Sequence, residues 1–148
     1  MKPYEIEQEI QAKGLTAPRV TPADIEANIV AEHCFTAADG VDGADIALLR
    51  GGCSSLPISL APLDEDPDIG KTTELGPIRL LTFCVLVLRN GFTVTGESAC
   101  VSPENFDAEL GRKIARENAI SKLWPLMGYA LKDRLFDDAA KVNKGAQA

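Results

Sequence analysis

The stretch from Leu80 to Val101 constrains this chain more than any other. Leu80 to Leu88 reads Leu-Leu-Thr-Phe-Cys-Val-Leu-Val-Leu, a β-prone apolar run. Asn90-Gly91 follows, the strongest short hairpin signal, because a type I′ turn needs φ > 0 at both central residues. Phe92 to Val101 then alternates as a return strand. A two-residue loop at Asn90-Gly91 predicts Val87 opposite Val94, Val85 opposite Gly96 and Phe83 opposite Ser98. One face then carries Phe83, Val85, Val87, Val94 and Gly96, and reads as core. The other carries Cys84, Leu86, Leu88, Thr93, Thr95 and Glu97, and suits an oligomer contact or a small-molecule wall.

Two helices are predicted beyond the hairpin. Ser102-Pro103 reads as a cap and first position, with the helix running to about Leu123. Phe106, Leu110 and Ile114 form its predicted apolar stripe. Gly111, Ala115 and Ala119 form a small-residue row beside it, suited to close packing or to a flat ligand. Trp124-Pro125 is read as a break. A second helix follows to about Ala140, with Leu126, Ala130, Leu131 and Leu135 inward.

Before the hairpin, Tyr4 to Lys13 is predicted as a peripheral helix stopped by Gly14. Thr21-Pro22-Ala23-Asp24 opens a second helix, predicted from Pro22 to about Cys34, with Ile25, Ile29 and Val30 on its stripe and His33 near its end. From Asp39 to Pro77, repeated Gly and Pro and the acidic run Asp64-Glu65-Asp66-Pro67-Asp68 predict a long loop. The fold expected is α+β: a small antiparallel sheet with its hairpin at Asn90-Gly91, two C-terminal helices, N-terminal helices and a long central loop. The segments expected are 1–38 helical, 39–77 loop, 78–140 core and 141–148 frayed tail.

Composition narrows the function classes. The chain has 148 residues and a net charge of −7. That charge argues against coating duplex nucleic acid, which needs a basic surface. The acid excess is confined to residues 1–101, with 15 acids and 7 bases; residues 102–148 carry 7 acids and 8 bases. No apolar run approaches the roughly 20 residues of a membrane span. With no leader-like opening, the expectation is a soluble cytoplasmic protein. Cys34, Cys53, Cys84 and Cys100 have no CxxC spacing, and His33 is the sole histidine, so reduced thiols are expected and neither a metal site nor a cofactor. No HExxH, GxSxG, Walker or Rossmann pattern occurs, so no catalytic residue and no enzyme activity is expected.

The polar group with most chemical content lies after Ser102. Asn105, Glu109, Arg112 and Arg116 fall on one side of the predicted helix at 4-3-4 spacing. Two arginines at i, i+4 repel by a few tenths of a kcal/mol on an isolated helix. Either Glu109 and other acids offset them, or a phosphate does, which the guanidinium fork matches.

The run Thr82–Asp107, with Asn90-Gly91-Phe92, Ser98-Ala99-Cys100-Val101 and Pro103-Glu104-Asn105-Phe106-Asp107, resembles the small phage proteins of the gene-49/gene-66 type. Glu109 to Ala115, Asn118-Ala119, Lys122-Leu123-Trp124 and Gly128-Tyr129 extend the resemblance, and Val20 to Phe35 is similar to the family's N-terminal helix. The branch it looks like includes the anti-Thoeris and anti-CBASS sponge proteins. The resemblance implies a homo-oligomer, with hexamers built from dimers, in the cytoplasm of the infected bacterium. It implies binding without chemistry: sequestration of glyco-cyclic ADP-ribose or of CBASS cyclic trinucleotides, inhibiting antiphage defence. Candidate ligand residues are Arg112 and Arg116 for phosphate, Phe83 or Phe92 for base stacking, Thr95 on the hairpin wall with Thr93 and Glu97, and Asn90 and Asn105 as further contacts. The competing expectation is an acidic interaction module that blocks a host protein directly.

Overall fold

The structure, a computed structural model, describes residues 3–52 and 76–146. It is α+β: four helices among the described residues and a three-stranded antiparallel sheet in the order β1-β2-β3. The strands are β1 (Ile29–Thr36), β2 (Leu81–Leu88) and β3 (Thr93–Ala99). The helices are α1 (Pro3–Ala12), α2 (Pro22–Asn28), α3 (Ala37–Gly52) and α4 (Ala108–Gly145).

The hairpin forms where predicted, with a different turn and therefore a different register. Gly91 N–H donates to Leu88 C=O (2.8 Å), and Leu88 N–H donates to Phe92 C=O (2.9 Å). The loop is thus Arg89-Asn90-Gly91, three residues rather than two. Gly91 has φ +83°, while no non-glycine residue described has positive φ, so Asn90 does not take the type I′ conformation. This is the three-residue loop that ends in a left-handed glycine. Cys100 N–H donates to Leu80 C=O (3.0 Å), which carries the same register to the far end. Leu86 therefore faces Val94, and Cys84 faces Gly96.

A one-residue change of register flips a strand's side chains to the other face. Burial follows it: Thr82, Cys84, Leu86 and Leu88 are buried, with Val94 and Gly96 across from them. Phe83, Val85 and Val87 are only half-buried. The predicted core face of β2 is thus its outer face. The predicted wall face is the core on β2 and remains exposed only at Thr93, Thr95 and Glu97 on β3.

The start of α2 and the end of α1 form where predicted. Thr21 N–H donates to Asp24 Oδ2 (2.8 Å) and Asp24 N–H donates to Thr21 Oγ1 (3.2 Å), a complete capping box at α2. Gly14, at φ +66°, ends α1 with Leu15 N–H on Ile10 C=O and Gly14 N–H on Gln11 C=O, a Schellman closure. Helix α2 stops at Asn28 rather than running to Cys34. Ile29, Val30 and Phe35 are residues that favour strands, and pairing with β2 outweighs the helical spacing of the stripe. His33 accordingly lies exposed on β1.

The expected loop over 39–77 contains α3. A second capping box starts it: Thr36 N–H donates to Asp39 Oδ2 (2.8 Å) and Asp39 N–H to Thr36 Oγ1 (3.1 Å). Ala37, Ala38, Ala44 and Ala47 then favour the helix through Gly40 and Gly43. A 3₁₀ turn at Pro77–Leu80 packs against α3 and leads into β2. The acidic run at 64–68 lies outside the described residues.

The C-terminal part is one 38-residue helix, not two. Ser102-Pro103 opens a 3₁₀ turn, Pro103–Asn105. The cap of α4 is Asp107, whose Oδ1 accepts from Leu110 N–H (2.9 Å). Pro125 sits inside the helix and is exposed. The bond it removes is to Ser121 C=O on the solvent side, where water can replace it, while buried Leu123 and half-buried Met127 hold the flanking turns. The inward row is Gly111, Ala115, Ala119 and Leu123; Leu110 and Ile114, predicted inward, are exposed, as are Leu126 and Leu135.

Contacts divide the chain into two units. Met1–Glu32, Leu86–Val94 and Ala119–Ala148 form one, whose buried side chains include Ile25, Leu86, Leu88, Val94, Ala119 and Leu123. Within it Asn28 C=O accepts from Arg89 N–H (3.0 Å), and Asn28 Nδ2 approaches Met127 Sδ (3.5 Å). His33–Val85 and Thr95–Asn118 form the other, whose buried side chains include Ala38, Thr82, Cys84 and Ala115. There, the missing side chain of Gly111 lets α4 approach Thr82 closely.

Candidate functional site

Among the sequence-predicted residues, Phe83, Thr95, Asn105, Arg112 and Arg116 belong to the second unit. Phe83 projects from the outer face of β2 and packs on Phe35, ring centroids 6.1 Å apart and planes 44° apart. Phe35 is 37% exposed, and its ring lies 3.3 Å from where a Cβ at Gly40 would sit. The first turn of α3 thus touches one side of this aromatic pair and leaves part of it open. Thr95 shares the outer face of the hairpin with Phe83.

Phe35 is not among the residues the sequence singles out, because the helix expected from Pro22 to about Cys34 ends just before it, whereas it lies in β1. The available signal was Phe35-Thr36-Ala37-Ala38-Asp39, whose capping box requires an extended residue before the new helix.

Arg112 and Arg116 stand on α4, which packs by Gly111 against Thr82 on the opposite, inner face of the sheet. The expected partner of the arginines is engaged elsewhere: Glu109 Oε1 accepts from Lys113 Nζ at 2.7 Å. Arg112 is exposed and has no ion-pair or hydrogen-bond partner among the described residues. Arg116 is half-buried and has interactions of its own. Asn105 does not share the helix with them, because the chain turns at Asp107 before α4 begins.

Asn90 and Phe92 lie at the hairpin tip, in the first unit. Asn90 Oδ1 accepts from Phe92 N–H (3.0 Å), so the Asn90 side chain shapes the turn, and Phe92 is 54% exposed. The predicted residues therefore form three groups: an aromatic face with Thr95, an arginine flank behind the sheet, and the turn.

Asn118 also has a definite role. Its Nδ2 donates to Glu97 C=O at 2.8 Å. In the observed register the odd residues of β3 turn their backbone groups away from β2, towards the free edge. Asn118 satisfies one of these edge carbonyls.

Titration is perturbed at the two capping acids. The Thr21 hydroxyl and then its N–H hold the Asp24 carboxyl below its ordinary range. The Thr36 N–H and then its hydroxyl do the same for Asp39. An open depression of about 480 Å³ lies where α1 meets the loop to α2, beside Gln11, Leu15, Pro18 and Arg19. Arg19 is tied by Nη2 to Glu7 Oε1 (2.8 Å). Among the described residues Cys34, Cys84 and Cys100 form no disulfide, and no cluster of His, Cys, Asp or Glu could hold a metal ion. No helix among them is long and apolar enough to cross a membrane.

The fold is α+β, with a three-stranded antiparallel sheet and a long C-terminal helix, and the second unit carries an aromatic pair on one face of β2 with Gly111 of α4 against Thr82 on the other. A sequence model of the phage protein (N4 Gp49/phage Sf6 gene 66) family matches residues 20–135, and the chain belongs to that family. The matched span runs from the cap of α2 through β1–β3 into the second half of α4. No curated protein and no solved structure matches the chain.

Proposed function

We propose that this phage-family protein is a non-catalytic, homo-oligomeric sponge in the infected cell, binding and sequestering small cyclic nucleotides that signal bacterial immunity. Glyco-cyclic ADP-ribose and cyclic trinucleotides are the ligands in view. The observation that carries this reading is the arginine flank. In an acidic chain, Arg112 is exposed without an acid partner among the described residues, one turn from Arg116, while Glu109 is committed to Lys113. A phosphate fits that fork and relieves the like-charge spacing. The open part of the Phe35–Phe83 pair supplies a stacking surface, worth about 1–3 kcal/mol per base.

Phe83 and Thr95 face one side of the sheet, whereas the arginine helix covers the other. A ligand using both groups is therefore held between copies, which favours the oligomer. Incubation with a ligand followed by heat denaturation tests the absence of chemistry. Recovery of unchanged ligand is expected, and recovery of a cleaved product overturns the reading.

A further inference from the structure

We propose that the free edge of β1 pairs with the same edge of a second copy of this chain, antiparallel and centred between Glu32 and His33. β1 is the outermost strand on one side of the sheet. On the other side, the edge of β3 is partly taken, since Asn118 Nδ2 holds Glu97 C=O (2.8 Å).

Strand β1 carries a bulge. Arg89 N–H donates to Asn28 C=O (3.0 Å), which sets Asn28 opposite Arg89, Val30 opposite Val87 and Ala31 opposite Leu86. Continued, that register would place Phe35 opposite Thr82 on the inner face, yet Phe35 packs on Phe83 on the outer face. One extra residue therefore lies between. It falls at Glu32-His33, the one adjacent pair in β1 exposed at both residues. Asn28 bonds to β2, so by alternation Ala31 turns its N–H and C=O towards the free edge. Thr36 N–H is held by Asp39 Oδ2 (2.8 Å), so Thr36 faces away from β2, and Cys34 with it. Among the described residues, neither Ala31 nor Cys34 has a backbone hydrogen bond outside the sheet.

The bulge selects the occupant. Val30 and Phe35 are five residues apart and both face outward, 60% and 37% exposed. A regular strand turns residues five apart to opposite faces. A regular partner therefore matches one half of β1 and is out of phase with the other half. β1 reversed matches both, because its order of exposed and half-buried residues reads the same from either end about Glu32-His33. That pairing sets the edge groups of Ala31 against those of Cys34 of the second copy. It sets Val30 beside Phe35 of the second copy, and Glu32 beside His33 of the second copy, a carboxylate beside an imidazole N–H. A slip of one or two residues puts inward side chains against outward ones. The open part of the Phe35–Phe83 pair gains Val30 of the second copy as a wall.

This inference rests on the self-association in the proposed function and not on the nucleotide. Light scattering on the full chain, with circular dichroism to verify folding, tests it. Wild type is expected at twice the chain mass or a multiple of that. Ala31→Pro removes an N–H on the free edge and none that bonds to β2, a place where edge strands accept proline. It should bring the mass to half the wild-type value or less. Val30→Cys and Phe35→Cys chains, expressed together, should cross-link to each other above the wild-type background. Neither should cross-link to itself, because counterparts at one position lie about 17 Å apart along the strands. The cross-link decides the matter should Ala31→Pro fail to fold. A monomeric wild type, a mass unchanged by Ala31→Pro, or no cross-link between the two cysteine variants overturns the proposal. Assembly through this edge without nucleotide uptake contradicts only the sponge reading. Nucleotide uptake by an assembly that Ala31→Pro leaves intact contradicts only this interface.

Discussion

Gly111 of α4 and Thr82 of β2 meet so closely that a Cβ at position 111 would lie 3.0 Å from Thr82 Oγ1. Thr82 is only 2% exposed, so its side chain has little room to give way. The small-residue row on α4 is therefore accounted for as helix–sheet packing at its first member, and not as a seat for a flat ligand.

Substituting Gly111 tests that contact. Gly111→Val should destabilise the fold by about 1–3 kcal/mol through overpacking. Gly111→Ala should cost less, because alanine recovers about 1 kcal/mol of helix propensity. Urea denaturation of both variants measures the difference, and a neutral Gly111→Val would show that α4 does not sit tightly on β2.

The hairpin turn makes a second prediction. Gly91 has φ +83°, a conformation that side chains resist. Gly91→Ala should cost about 1–2 kcal/mol. An Asn90→Ala change removes the bond to Phe92 N–H and should cost about 0.5–1.5 kcal/mol. Thermal melts of the two variants give the comparison; a type I′ turn would instead make Asn90 as sensitive as Gly91.

Acid should loosen the two capping boxes. Asp24 and Asp39 both have lowered folded-state pKa values, from hydrogen bonds to Thr21 and Thr36. A depressed carboxylate contributes stability that is present above its unfolded pKa, about 3.8, and is lost as pH falls through the folded value. Stability should therefore fall below about pH 4 by this route, less steeply in Asp39→Asn. Thr36→Ala should cost about 1 kcal/mol at neutral pH. Denaturation midpoints across pH, with and without these changes, check both statements.

On the proposed function, Arg112 and Phe83 contribute to ligand binding by different physics. Arg112→Glu should weaken nucleotide binding at least tenfold, since a hydrogen bond to a charged group contributes about 1.5–3 kcal/mol. It should leave the melting temperature nearly unchanged, because Arg112 is exposed without a partner among the described residues. Phe83→Leu should weaken binding while retaining most of its packing. Calorimetric titration separates the two, and equal loss of stability in Arg112→Glu would assign that arginine to the fold instead.

Local signals in the sequence placed most of the elements. Gly14, Thr21 with Asp24, and Asn90-Gly91 act through their own backbone geometry, so the end of α1, the start of α2 and the hairpin were all legible. Features set by a neighbour were not. The strand after Asn28 exists because β2 pairs with it, although Ile25, Ile29 and Val30 have helical spacing. The register depended on one residue of loop length, and that residue decided which face of β2 became core. Pro125 reads as a breaker but lies on the solvent side of a helix held by Leu123. At the candidate site the arginines and Phe83 were legible as residue types. Their placement on opposite sides of the sheet was not, since it follows from the register and from α4 packing through Gly111.

The most direct test is native mass spectrometry of the purified protein, alone and with glyco-cyclic ADP-ribose and a panel of cyclic di- and trinucleotides, alongside the Arg112→Glu/Arg116→Glu variant. The expected result is an assembly of several copies that gains intact ligand masses and loses them in the double variant. A protein that gains no ligand mass, or gains it equally in the double variant, contradicts the proposed site.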